Sequence, residues 1–306
     1  DGIGATVEQK ISGGTATITV KGNDYSSNPA NIHTYIINFV ANTEISASDI
    51  TTTYGTAKAL SVTTNNDQSA LEYAVADPSI ARVENGQIVP LKAGSTTLTI
   101  SQKASKNYTA GSKTVKLTVN KATLTVTANN ATRPFGSQNP TFTLTYKGFV
   151  NGESEANLTQ QPIATCKATA TSSVGAYDIT VSGGASDNYT FIYIKGSLSI
   201  TTAPAQIWIT PIGKKTYGDP AFTLQAISTN SESPITYSVA DPSIARISNG
   251  QVTLLKAGST TITASQEAST NFGEASASVE LVVKKAPLTL RAENKSRTYG
   301  AENPAF

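Results

Sequence analysis

The chain has 306 residues, of which 14% are charged and 38% hydrophobic, with a formal net charge of +2. That length is long for one core and comfortable for three or four small domains. The near-even charge excludes a basic stripe for nucleic acid and an acidic tail, and no apolar run approaches the ~18 residues of a spanning helix. Thr, Ser, Ala, Val and Ile without helical periodicity make this all-β composition. The sequence has no methionine and begins without a leader, so it reads as a mature segment or a piece of a longer protein. Its one cysteine, Cys166, cannot form an internal disulfide. In ATCKA it shares a strand face with Ala164 and Ala168, which suits a small buried hydrophobe.

Residues 1–43 hold a strand-like run at 15–20, a polar loop and a second run at 32–39. Two strands cannot bury a core alone, so this segment is expected to be the trailing strands of a truncated β-sandwich. His33 has no companions for a metal site. In the loop GNDYSSN, Asp24 and Tyr25 suit contact with a sugar or calcium, but one aspartate is too few for a calcium site.

Residues 44–121 contain the run from Tyr73 to Tyr108, which returns from Tyr237 to Phe272 with 25 of 36 positions identical and an offset of 164. The chain is thus a tandem array, and function is read at that level. Asn85-Gly86 predicts a two-residue hairpin turn, because both positions need φ > 0. It pairs Glu84 with Gln87 and Val83 with Ile88. In the second copy that pair has become Ile247 and Val252, a swap that keeps the summed volume and places the pair in a core. Asp77-Pro78-Ser79 starts a turn, and Thr97-Leu98-Thr99-Ile100 alternates as a strand with one buried face. Pro90 requires that its strand be an edge or bulged there.

The residues DPSIA from Asp77, Val83, Asn85-Gly86 and AGSTTLT from Ala93 resemble bacterial Ig-like domains of the Big_2 type. The resemblance implies a small β-sandwich used as a spacer or display module in bacterial surface proteins, with no catalytic residues.

Residues 122–202 differ. Strand-like runs at 124–126 and 142–146 lead to GFVNGESEANL, where Asn151 is expected to cap a short helical turn anchored by Phe149, Val150 and Leu158. Further strands follow, an order that suits a small β-grasp-like sheet. Phe135-Gly136, Asn139-Pro140, Gly148-Phe-Val-Asn-Gly-Glu153, Gly175-Ala-Tyr-Asp-Ile179, Asn188-Tyr189 and Gly196-Ser-Leu-Ser-Ile200 resemble the MBG domain, Tyr-Gly type, of bacterial adhesin-like proteins. That implies a repeat module of large exported proteins, with no implied ligand.

Residues 203–285 repeat the Ig-like domain, and 286–306 open a second MBG-like module, which reads as a cut within a longer protein. The joins leave hardly any residues to spare, and Pro204 and Pro287 stiffen two of them. They carry Lys, Ala, Thr and Pro instead of the acidic clusters of calcium-bound joints. Modules roughly 30 Å long, from strands of about nine residues, predict an extended rod of roughly 100 Å or more.

Asn107-Tyr108, Asn188-Tyr189 and Asn271-Phe272 recur in both module types and are expected to plug the end of each core, the Asn turning the chain. Tyr54-Gly55, Phe135-Gly136, Tyr217-Gly218 and Tyr299-Gly300 read as opening turns. Trp208, in QIWIT and read against Ile45 of the first copy, is expected in a core or domain contact; if exposed, it is the best candidate for carbohydrate. No Ser-His-Asp set, paired acids, phosphate loop or Cys/His metal spacing is present, so no catalytic, cofactor or metal site is assigned. The expectation is a non-catalytic stalk of an extracellular, bacterial cell-surface or secreted adhesin-like protein, its partners being the other domains of the same long chain and a glycan or host-surface ligand. The alternative is a carbohydrate-binding accessory region of a secreted polysaccharide-degrading enzyme.

Overall fold

The computed structural model describes residues 5–12, 15–22 and 32–38 as backbone strands, and residues 40–305 in full. Among the described residues every regular element is a strand except one 3-10 turn, Glu155–Asn157. The chain packs as two compact units: residues 1–128, 143–165 and 180–195, and residues 129–142, 166–179 and 196–306.

In the first unit, Ala5–Ser12, Thr15–Gly22 and Ile32–Asn38 form an antiparallel meander in chain order. The sequence suggested the second and third of these strands. His33 faces Val20 in register, but its side chain, like all of Asp24 and Tyr25, lies outside the described residues.

The first repeat copy is a two-sheet β-sandwich. One sheet runs Ile50–Thr53, Gly111–Asn120, Gly94–Gln102, Leu71–Val75, and the other Lys58–Ala59, Gln87–Pro90, Ala81–Glu84. Strand alternation sends Leu98, Ile100 and Leu117 into the core, where they meet Ile88 of the opposite sheet. The hairpin has the expected geometry. Asn85 and Gly86 have φ of +49° and +72°, with Val83 opposite Ile88 and Glu84 opposite Gln87. The Asp77 carboxylate accepts both the backbone N–H of Ser79 at 2.9 Å and its hydroxyl at 2.6 Å. Pro90 is tolerated because Lys58–Ala59 reaches only Gln87 and Ile88, leaving Pro90 paired on one side alone, to Ala81. Buried Gln102 donates to Asn66 O at 2.9 Å and Ser69 O at 2.6 Å and accepts from Thr64 at 2.5 Å, which satisfies its amide and pins the preceding loop.

Lys121 alone separates Gly111–Asn120 from the next strand, Ala122–Ala128. That strand pairs antiparallel with Leu144–Lys147 and parallel with Tyr189–Ile194. Its Leu124 and Val126, with Leu158 and Tyr189, belong to the same continuous core as Ile88, Leu98 and Leu117.

In the second unit, Ala131–Pro134 runs parallel to Gly196–Thr201, which pairs antiparallel with the opening residues of Gly175–Ala185. The later residues of that long strand belong to the first unit, as does most of Gln160–Cys166, next to it in strand order. The order Ala131–Pro134, Gly196–Thr201, Gly175–Ala185, Gln160–Cys166 reproduces that of Ile50–Thr53, Gly111–Asn120, Gly94–Gln102, Leu71–Val75. The β-grasp-like expectation for 122–202 therefore gives way to two separate sheets with an Ig-like parallel pairing of an early and a last strand. A β-grasp needs a helix to cover its sheet, and Glu155–Asn157 buries none of its residues. The cap of that turn is Ser154, whose backbone N–H is accepted by the Asn157 side chain at 3.0 Å; Asn151, expected there, instead turns the chain with φ +56°. Cys166 is half-buried.

The second copy rebuilds the sandwich with Lys215–Thr216, Ala275–Lys284, Gly258–Gln266 and Ile235–Val239 in one sheet, and Phe222–Thr223, Gln251–Leu254 and Ala245–Ser248 in the other. Ile247 faces Val252, the predicted exchange of large and small partners. Gln266 repeats the Gln102 bonds, to Asn230 O at 2.7 Å and to Ser233 O.

Candidate functional site

The chemistry of this chain gathers where one module ends and the next begins. In the first copy, Ile50–Thr53 runs parallel to the last strand, and Tyr54 prolongs it by donating its N–H to Asn120 O at 2.9 Å. That delivers the Tyr54 ring to the point where the chain crosses into Ala122. The Tyr189 ring meets it edge-on at 5.8 Å, and Phe149 packs edge-on against Tyr189 at 5.4 Å. Such ring pairs contribute about 0.5–1.5 kcal/mol each beyond burial.

Both phenols donate to one carboxylate: Tyr54 to Glu153 Oε1 at 2.7 Å and Tyr189 to Oε2 at 2.5 Å. The Tyr189 oxygen also accepts the Val150 N–H at 3.1 Å. Burial, reinforced by hydrogen bonding to the Glu153 carboxylate, pushes the Tyr189 phenol up to about 12; burial also raises Tyr54. Gly55 has φ +79°, and a Cβ there would lie 2.4 Å from Val150 Cγ2, so only glycine lets the 148–153 loop close down.

Around the rings, Asn188 Oδ1 accepts the Ala93 N–H at 2.9 Å. Lys121 donates to Ser186 O at 2.7 Å, and an exposed Lys92–Asp187 pair at 3.1 Å adds little.

A second joint, within the second unit, repeats the device with other residues. Ala131–Pro134 runs parallel to the strand ending at Thr201, and Phe135 donates its N–H to Thr201 O at 2.8 Å. Gly136 follows with φ +81°. The Phe272 ring meets Phe135 at 5.4 Å and 75°, and Asn271 Oδ1 accepts the Val174 N–H at 2.9 Å. The Asn271 amide is held in turn by Glu232, whose carboxyl it draws below the usual range. Buried Arg133 braces the loop that presents Val174, donating to Asn139 Oδ1 at 2.7 Å, Thr169 O at 2.5 Å and Pro134 O at 3.2 Å.

At both joints the upstream module offers an aromatic-Gly turn and one loop N–H, and the downstream module offers an Asn-aromatic pair. The link is closed by the main chain: Ala122 donates to Asn188 O, and Ala203 to Asn271 O, each at 2.9 Å. Ala41 donates to Asn107 O in the same way at 2.8 Å. Sequence reasoning singled out both sets of residues, as plugs and as turns, and the structure brings them together as partners. It read Glu153 only as part of a family motif, and it missed Arg133. The recurrence of Arg133 and Asn139 as Arg297 and Asn303 was the available signal for the second.

Trp208 lies on Ile207–Ile209, opposite Ile227, and is 50% exposed. It is thus outside a core, one of the two places expected for it. The offset of 164 aligns it with Glu44 and aligns Ile209 with Ile45, and strand alternation gives the inward positions to Ile207 and Ile209. Among the described residues, no group of three or more His, Cys, Asp or Glu is placed to hold a metal ion, and no helix is long and apolar enough to cross a membrane.

Residues 124–199 match the family model of the MBG domain (YGX type), and residues 64–119 match that of the hyaluronate lyase N-terminal beta-sheet domain. No curated protein matches the chain significantly. Among solved structures it is similar to Drosophila N-cadherin EC1-4 at 11% identity and a TM-score of 0.29, covering 89% of this chain and 83% of that one. It is similar to the titin I9-I11 tandem at 14% and 0.24, covering 80% and 100%. It is also similar to a SusE-like surface located polysaccharide binding protein from the Bacteroides thetaiotaomicron heparin utilisation locus at 9% and 0.21, covering 92% and 54%. The strand pairing itself gives the tandem Ig-like architecture.

Proposed function

We propose that this chain is a non-catalytic stalk segment of an extracellular, adhesin-like bacterial protein, at the cell surface or secreted, in which Big_2-type Ig-like and MBG-type modules alternate to hold a terminal functional domain away from its base. One observation carries the reading: a single residue, Lys121, joins two modules that share one continuous core. A joint with no slack and buried side chains on both sides resists bending, which is what a spacer requires. The MBG match over 124–199 supports the same reading. Small-angle scattering tests it. A stiff stalk gives a maximum dimension of roughly 100 Å or more, unchanged by salt; a freely flexing or collapsed particle refutes it.

A second reading, a carbohydrate-binding accessory region of a polysaccharide-degrading enzyme, is favoured by the hyaluronate lyase domain match and by the exposed Trp208 beside exposed Ile227. Asp24 and Tyr25, the other candidates for such contact, lie outside the described residues. Retention on a glycan array that Trp208→Ala abolishes would establish it; absence of retention would leave the stalk reading alone.

A further inference from the structure

The second copy repeats the upstream half of the joint, and among the described residues its surface is uncovered. Tyr217 prolongs Lys215–Thr216 and donates its N–H to Lys284 O at 2.8 Å, as Tyr54 does to Asn120 O. Yet Tyr217 is 50% exposed where Tyr54 is 4% exposed. Gly218 has φ +93° and open space where Gly55 meets Val150. Tyr217, Leu255, Lys256, Ala257, Lys285 and Ala286 line a shallow pocket of about 350 Å³. At the offset of 164, Lys256, Ala257 and Lys285 are the counterparts of Lys92, Ala93 and Lys121, the residues that bind Asp187, Asn188 and Ser186 in the first copy. Downstream, Leu288 and Leu290 are 85% and 86% exposed, although their counterparts Leu124 and Val126 are fully buried.

We propose that this pocket is a docking site for one occupant: a β-module with the pattern of residues 143–202, continuous with the strand-forming residues after Ala286. Its Gly-Phe-Val-Asn-Gly-Glu loop sets the valine over Gly218 and brings the glutamate to accept from the Tyr217 hydroxyl. Its Asp-Asn-Tyr corner pairs the aspartate with Lys256, and the asparagine oxygen accepts the Ala257 N–H. Leu288 and Leu290 enter its core. The inference rests on the geometry of the first joint and is independent of whether the chain serves as a stalk.

The test is the full chain continued after Phe306 by a copy of residues 143–202, in register with the repeat. Amide hydrogen exchange is followed at Ala257, at Ala93, and in the appended strands. The Ala257 amide should slow by about tenfold or more relative to the 306-residue chain, the factor given by ~1.4 kcal/mol. Gly218→Ala in the longer chain should restore fast exchange at Ala257 and leave Ala93 unchanged. A folded appended segment with no slowing at Ala257 overturns the proposal. So does an appended segment that stays unprotected while residues 122–202 fold in the same molecule, because the same sequence then fails on this surface alone.

Discussion

Tyr54 and Tyr189, on opposite sides of a joint, share the two oxygens of Glu153 and meet edge to face at 5.8 Å. Two nearly buried phenols thus depend on one carboxylate supplied by a surface loop. Glu153→Ala strands both hydroxyls, and leaving such donors unsatisfied costs on the order of 1–3 kcal/mol each. Chemical denaturation of the variant should show a loss of about 2–6 kcal/mol in the transition of the first unit, with Val174 amide exchange in the second joint unchanged. Equal loss at both joints would show the effect to be general.

The same residues set a pH dependence. The Tyr189 phenol is raised to about 12 and Tyr54 is raised as well, so the folded state favours their neutral forms. The contribution is fully present below the ordinary tyrosine value near 10 and is lost as pH rises through about 12. The second joint has Phe135 and Phe272 in the places of these two rings, and its Tyr177 hydroxyl reaches Ser173 O at 2.9 Å. Between pH ~10 and ~12, exchange at Ala93 should accelerate beyond the general base-catalysed trend. Tyr189→Phe should remove most of the excess.

At the other end of the scale, Asp77 and Asp241 are held below the usual carboxylate range by the Ser79 and Ser243 side chains, respectively. A depressed carboxyl stabilises above its ordinary value and loses that contribution as pH falls through the lowered one. Asp77→Asn should therefore lessen acid sensitivity of the first copy while weakening its turn at neutral pH, as read by urea midpoints from pH ~5 to ~2.

Gly55 and Gly218 separate backbone strain from docking. Both have positive φ, so an alanine costs about 1 kcal/mol at either place. At Gly55 the new Cβ also meets Val150, and relieving that overlap adds about 1–3 kcal/mol. In the 306-residue chain Gly55→Ala should lower the stability of the first unit by the larger sum, and Gly218→Ala should cost the backbone term alone.

What the sequence made legible was local. Asn85-Gly86 fixes a register because its turn is decided by two adjacent residues, and the Val83/Ile88 exchange showed which pair faces inward. The tight joins could be seen because little sequence lies between the strands. The joints themselves could not, because Ala93 and Asn188 are 95 residues apart and each already had a sufficient local role. Residues 122–202 suggested a β-grasp-like sheet because strands were read on both sides of a short helical turn at 148–158; that turn is capped by Ser154 and leaves both sheets uncovered by helix. Trp208 was expected in a core or domain contact because it was read against Ile45; the repeat offset aligns it with Glu44, and the flanking isoleucines take the inward side.

The Val83–Ile88 pair gives a core test. Ile88→Val removes a methylene from a fully buried site and should cost about 0.5–1.5 kcal/mol. Adding Val83→Ile recreates the arrangement of the second copy and should recover about half or more of the loss. Denaturant midpoints of the two variants and the parent check this.

Asn188-Tyr189 and Asn271-Phe272 each lock onto the module before them. Amide hydrogen exchange at Ala93 and Val174 tests this most directly. The prediction is strand-like protection at both residues in the unmodified chain, lost at Ala93 alone in Asn188→Ala and at Val174 alone in Asn271→Ala. Loop-rate exchange at both residues in the unmodified chain would contradict it.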